Sequence, residues 1–195
     1  MMDTVLLISG SSNRMGQEKA LLPFSNDKNF VGHLVDVYSK IKTSTLYIIV
    51  NTHNEQHIKK AVGHRNPKLV FLINPNPENG RLSSILLGLN KMNKEKGVFI
   101  QNIDNPFIDE ALINEMRKEY KSNAFLVPQF DGKNGHPLLL GADLVSELIS
   151  QQQHITDLKS YLNTKKKKVL PTNSKAILAN INTPKDYARW FSKPL

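Results

Sequence analysis

The amino-acid sequence predicts an α/β protein of three layers (α/β/α), with a mainly parallel sheet covered by helices on both faces. Two observations predict it. Short, continuous apolar runs rich in β-branched and aromatic residues alternate with stretches whose apolar residues recur every three or four positions; these are the marks of buried strands and amphipathic helices. Strands that alternate with helices are joined by right-handed crossovers, which lay the strands parallel. In addition, no long linker, internal repeat or low-complexity tail interrupts the 195 residues. A single domain over 1–195 is therefore expected, large enough to bury its own core.

The first strand is read at residues 5–8 (VLLI), followed by a turn through small residues. Helical spacing over 31–41 leads to a strand at 46–50, and a second helix over 55–62 leads to a strand at 69–73. A helix over 83–92 precedes the strand at 98–100, and another over 108–120 precedes the strand at 125–127. Beyond residue 128 the pattern changes. The turn-rich segment 130–135 (FDGKNG) runs into an apolar run at 137–140 and a helix near 142–149. A short strand at 169–170 and an apolar run at 177–181 precede a last helix over about 184–190. Thr183 is a natural cap for that helix, and Pro184 suits its first position. Ligands of such sheets bind beyond the carboxyl ends of the strands, so the loops after Ile8, Ile73, Ile100 and Val127 are the ones to search.

An apolar content of 39% and a charged content of 22% are ordinary for a globular protein. The absence of cysteine rules out disulfides, thiolate metal sites and thiol nucleophiles, and fits a reducing compartment. The N-terminal apolar run is too short to cross a membrane and lacks a basic flank, so no signal peptide and no membrane partner are expected, and a cytoplasmic location is. The formal charge of +9 favours anionic partners. Its positive residues are spread along the chain; the densest run, 165–168, is read as a solvated turn. No recognition helix, RNA-binding aromatic motif or zinc spacing is present, so no nucleic-acid partner is expected.

The richest stretch is Ile8-Ser9-Gly10-Ser11-Ser12-Asn13-Arg14-Met15-Gly16-Gln17-Glu18-Lys19, directly after the first apolar run. A turn of small residues leaves backbone amides free to cradle phosphate oxygens, and Arg14 and Lys19 set two cations beside them. That combination points to a nucleoside triphosphate. The spacing is not that of the ATPase phosphate loop, because Gly16 is followed by Gln17 and Glu18 where that motif needs Lys and Ser or Thr.

Four further segments agree with the first: Asn74-Pro75 with Gly80-Arg81-Leu82-Ser83-Ser84, Asp104-Asn105-Pro106, Gly135-His136-Pro137, and Asn180-Ile181-Asn182-Thr183-Pro184. In chain order, and over nearly the whole length, they resemble the molybdenum cofactor nucleotidyltransferases. The Asn-Pro…Gly-x-x-Ser-Ser and Gly-His-Pro segments are similar to the cytidylyltransferase branch. The Asn-x-Asn-Thr-Pro ending is closer to the guanylyltransferases, and Ile8, Ser9 and Ile103 depart from the usual small residues.

The resemblance implies a Rossmann-like nucleotidyltransferase fold. It also implies transfer of a nucleoside monophosphate to a phosphate-bearing acceptor such as molybdopterin, with release of pyrophosphate. CTP is the favoured donor and GTP the alternative; magnesium is the expected cofactor. Arg14, Lys19 and Asp104 are then the catalytic residues. Asp104 is the first metal ligand, and Asn182 the second through its amide oxygen. Ile8, Ser9, Gly10, Ser11 and Ser12, with Arg14 and Lys19, would bind nucleotide, while Asn74, Gly80 and Ser83 close over base and ribose. Gly135, His136 and Pro137 form the acceptor side.

Each of these residues also has a purely structural use. Gly10 and Gly16 can end a strand and admit a turn, Asp104 can cap the helix ahead, and His136 can bond its own turn. Other functions stay open too. One is a transferase of the same fold acting on a sugar phosphate or methylerythritol phosphate. Another is a non-catalytic nucleotide-binding regulator, to which the amides at 180 and 182, in place of carboxylates, would be suited.

Overall fold

The computed structural model describes residues 2–10, 12–41, 45–63, 68–93 and 95–191. Its elements in chain order are β1 (Asp3–Leu7), α1 (Phe30–Lys40), β2 (Leu46–Val50), α2 (Glu55–Val62), β3 (Leu69–Ile73), α3 (Arg81–Leu89), β4 (Val98–Asn102), α4 (Glu110–Lys118), β5 (Phe125–Phe130), β6 (Lys133–Asn134), β7 (Leu138–Leu140), α5 (Ala142–Ser150), α6 (Leu158–Asn163), β8 (Lys167–Pro171) and α7 (Pro184–Phe191). The eight strands form one sheet. β3, β2, β1 and β4 lie side by side and parallel. β7 runs antiparallel to β4, β5 antiparallel to β7, and β8 parallel to β5. Only β7 and its short companion β6 oppose the rest, so the sheet is mainly parallel as expected.

Alternation along β1 creates the two apolar layers. Leu6 is packed in one, with Phe30 and Leu34 of α1, Ile58 of α2 and Ile113 of α4. Val5 and Leu7 are packed in the other, with Ile85 of α3 and Val145 and Leu148 of α5. Helices thus cover both faces. Several begin where a side chain satisfies a free amide: Asn29 accepts from Gly32 N, Asp109 from Leu112 N, and Asp157 from Ser160 N. The Thr183 cap expected for α7 is a reciprocal box. Thr183 Oγ1 accepts from Asp186 N at 3.2 Å, and Asp186 Oδ2 accepts from Thr183 N at 2.8 Å.

The turn-rich segment is a tight β5–β6 hairpin whose central residues, Asp131 and Gly132, have φ of 48° and 70°. Such positive values match the Asp-Gly pair. The short α6, capped by Asp157, had no counterpart in the sequence reading. The apolar run 177–181 contributes to a 3-10 turn, Lys175–Leu178, and the extended segment after it. The lysine run is not the solvated turn expected. Lys167 and Lys168 lie in β8, Lys165 pairs with Glu147, and Lys168 pairs with Glu119. Among the described residues, no helix is long and apolar enough to cross a membrane.

Candidate active site

Strand register assembles the site. Leu7 of β1 lies beside Asn102 of β4, so the chain just beyond each, at Ser9 and Asp104, meets at one rim of the sheet. The segment before α7 returns to that rim, where Ile181 N donates to Asp104 O at 2.8 Å. A cavity of about 250 Å³ opens there, with Ser9, Gly10, Lys19, Arg81, Asn102 and Asp104 in its wall.

The first loop is held from behind. Asn54 Nδ2 donates to Ile8 O and Asn51 Nδ2 to Ser9 O, both at 3.0 Å. A trans peptide points its C=O and its following N–H in opposite directions. Fixing those two carbonyls on the α2 side therefore turns the amides of Ser9 and Gly10 away from it, and neither amide has a partner among the described residues. Ser12 adopts φ 52° and Gly16 φ 74°, the left-handed bends that shape a backbone anion cradle. Ile8 itself has no main-chain group to offer a nucleotide, because its amide donates to Ile49 O and its carbonyl accepts from Asn54. Ser11 lies outside the described residues.

The charged groups converge on Asp104. Burial pushes its carboxyl above the ordinary value, opposed chiefly by Lys19 and then by Arg81 and Arg14. Burial also lowers the Lys19 ammonium, with Asp104 pulling the other way. Lys19 Nζ donates to Asn182 Oδ1 at 2.7 Å. Asn182 Oδ1, expected on a metal ion, accepts from the lysine in this structure. Asn180 lines the cavity instead, with its Oδ1 accepting from Asn105 Nδ2 at 3.0 Å. Arg14 is exposed outside the cavity wall, without a hydrogen-bond partner among the described residues, and its charge still acts on Lys19 and Asp104.

Asp104 Oδ1 and Asn102 Oδ1 are both buried without a hydrogen bond. Two unsatisfied hard oxygens in one wall suit a hard divalent cation that draws its remaining ligands from phosphate and water. No group of three or more His, Cys, Asp or Glu side chains able to hold a metal unaided occurs among the described residues.

The other expected residues divide. Asn74 is buried and fully engaged, donating to Ser84 Oγ at 2.8 Å and Ser83 Oγ at 3.1 Å and accepting from Asn76 N. Both of its amide hydrogens are thus used in tying the strand end to α3. Ser83 Oγ donates to Gly80 O, and Gly80 bends at φ 86° to start α3. Ser84 Oγ lies 2.8 Å from Ser9 Oγ, tying α3 to the first loop. Gly135 and Pro137 are buried, and a Cβ on Gly135 would stand 2.6 Å from Ile177 O. His136 reaches the site, with Nδ1 3.5 Å from Asn102 Nδ2. Burial, with Arg81 nearby, lowers its pKa to about 4, so the ring is neutral at physiological pH.

Sequence reasoning missed Arg81, Asn102, Ser84 and the Asn51–Asn54 clamp. Asn102 had a signal, standing two residues before Asp104 at a strand end. The clamp had none, because it depends on β1 and β2 being neighbours.

The chain as a whole is similar to known proteins. The chain is 24% identical over 191 residues to the molybdenum cofactor cytidylyltransferase of Escherichia coli (strain K12), covering 95% of this chain and 93% of that protein. Its fold is similar to that of Rv0371c from Mycobacterium tuberculosis H37Rv, with a TM-score of 0.80 and 19% identity over 98% of this chain and 97% of the other. Rv0371c has also been solved in complex with manganese. A nucleotidyl transferase from Methanothermobacter thermautotroptrophicus superposes with a TM-score of 0.79 at 18% identity, over 97% of this chain and 95% of the other. The model of the MobA-like NTP transferase domain matches residues 4–169, and the chain belongs to that family of nucleotidyltransferases.

Proposed function

We propose that this single-domain enzyme transfers CMP from CTP to the phosphate of a molybdopterin-type acceptor in the cytoplasm. The observation that carries the reading is the cluster at the sheet rim: free amides of Ser9 and Gly10, the Lys19 ammonium and the unsatisfied Asp104 oxygen share one cavity. A cavity so lined suits a polyphosphate and a metal ion. The name of the Escherichia coli relative supports cytidylyl transfer, while the Asn180-x-Asn182-Thr183-Pro184 ending supports GTP as the second reading.

In the reaction an oxygen of the acceptor phosphate forms a bond to the α-phosphorus. The bond from that phosphorus to the α,β-bridging oxygen breaks, and its electron pair leaves with pyrophosphate. The nucleophile is already ionised, so no general base is required, and His136, neutral, is not asked to act as one. Asp104, with Asn102 beside it, would hold magnesium, which when bound neutralises phosphate charge and polarises the phosphorus. The amides of Ser9 and Gly10 orient the triphosphate. Lys19 approaches the α-phosphate, and Arg14 grips the departing β- and γ-phosphates with its planar fork.

Pyrophosphate release from each of the four nucleoside triphosphates, with magnesium and molybdopterin, tests the assignment. CTP is expected to give the fastest release, and equal indifference to all four would overturn the reading. Arg14→Ala is expected to weaken triphosphate binding ~10-fold or more and to slow turnover, on the scale of a lost charge-assisted contact. Nucleotide titration of the variant checks it, and unchanged affinity with unchanged rate would dismiss the role.

A further inference from the structure

Arg81 directly follows the Gly80 bend. It is the first residue of α3, exposed, and in the wall of the cavity. Among the described residues it has neither a hydrogen bond nor an ion pair. An unpartnered guanidinium in the wall of a reaction cavity is a free anion receptor. Its position separates it from the other two cations. Arg14 and Lys19 belong to the first loop, to which the triphosphate is assigned, whereas Arg81 stands on α3 in the same cavity wall as Asp104 and Asn102, and Asn102 Nδ2 lies 3.5 Å from His136 Nδ1. Arg81 therefore faces the reacting centre from another element, in the wall that Asn102 links to the acceptor side.

That side needs a charge. Gly135 and Pro137 are buried and have none to give. Lys19 and Arg81 are the two cations in the cavity wall, and Lys19 already donates to Asn182 Oδ1. An acceptor phosphate brought toward a triphosphate meets like-charge repulsion that grows as the two close. A fixed cation between them offsets it and aligns the nucleophile.

We propose that Arg81 receives the phosphate of the acceptor and aligns it for attack on the α-phosphorus. The inference rests on the nucleotide placement given above.

The test separates the two. The protein is titrated by calorimetry with magnesium and the α,β-methylene analogues of CTP and GTP, which cannot release pyrophosphate. The complex that forms is then titrated with inorganic phosphate as the probe. The wild type is expected to bind an analogue and then phosphate. Arg81→Gln is expected to weaken phosphate binding at least ~10-fold while the analogue changes less than ~3-fold, and Arg81→Lys to recover part of the loss. Arg81 is exposed, so unchanged thermal midpoints should show both variants folded. Equal loss of analogue and phosphate would assign Arg81 to the triphosphate and overturn the inference. Phosphate affinity that Arg81→Gln leaves unchanged, or a wild-type complex that binds no phosphate, overturns it as well. A wild type that binds neither analogue overturns the nucleotide placement itself, before any phosphate is added.

Discussion

Asp104→Ala is expected to lower nucleotidyl transfer by at least ~10²-fold, the scale on which one preorganised electrostatic group at a reacting centre is felt. The carboxylate is where three cations converge, and its Oδ1 has no protein partner to lose. The loss should therefore fall on turnover and on the magnesium requirement, not on folding. Stability should move the other way. Burial raises the Asp104 pKa in the folded protein, so the unfolded chain ionises first as pH rises. The folded state is thus penalised above the raised pKa and not penalised below the unfolded value of ~3.9. Asp104→Asn, neutral and nearly isosteric, is expected to be inactive yet more stable than the wild type at pH 7. The advantage should vanish as pH falls below that unfolded value. Urea unfolding at several pH values measures it, and a variant less stable at pH 7 would show that the carboxylate is structural.

Lys19→Ala is the second large effect, again a loss of at least ~10²-fold in turnover. Burial lowers the lysine pKa, so the wild-type rate is expected to fall on the alkaline limb at a pH below the ~10.4 of a free lysine. Asn182→Ala distinguishes the two uses of that amide. Held against Lys19 Nζ at 2.7 Å, Asn182 is a positioning residue, and its removal should cost roughly ~10-fold in turnover with the magnesium requirement unchanged. A raised magnesium requirement would return Asn182 to the metal. Near-normal transfer by both the Asp104 and Lys19 variants would remove this rim as the reacting centre.

What the sequence made legible follows from the range of the forces involved. The strand at 46–50 and the helix at 55–62 are observed as read, because a fully buried apolar run and a clean helical stripe mark them locally; the strand at 69–73 has the expected bounds but lies at the sheet edge with Val70 and Ile73 exposed, not buried as expected. The boundaries at 98–100 and 125–127 were too short. β4 continues through Gln101, whose amide is buried and bonded to Tyr38 and to the carbonyls of Asn102 and Asn105, and polarity had hidden that burial. β8 begins before the apolar pair 169–170 for the opposite reason: Lys167 and Lys168 read as solvated, yet Asn134 and Glu119, distant in sequence, take up their ammonium groups. The same divide runs through the site. Arg14, Lys19 and Asp104 stand at strand ends and follow from loop chemistry. The true engagement of Asn182, the internal bonding of Asn74 and the exposed freedom of Arg81 depend on which segments fold next to which, and no local pattern encodes that.

The backwards strand β7 bears on how such a scaffold diversifies. Ile100 pairs with Leu138 and Gln129 with Asn134, so the hairpin ahead of β7 is stitched to the sheet at both ends while its Asp131–Gly132 tip stays outside. That tip can change length without breaking a strand pair among β1 to β4, so the rim carrying Ser9 and Asp104 keeps its geometry whatever the hairpin does.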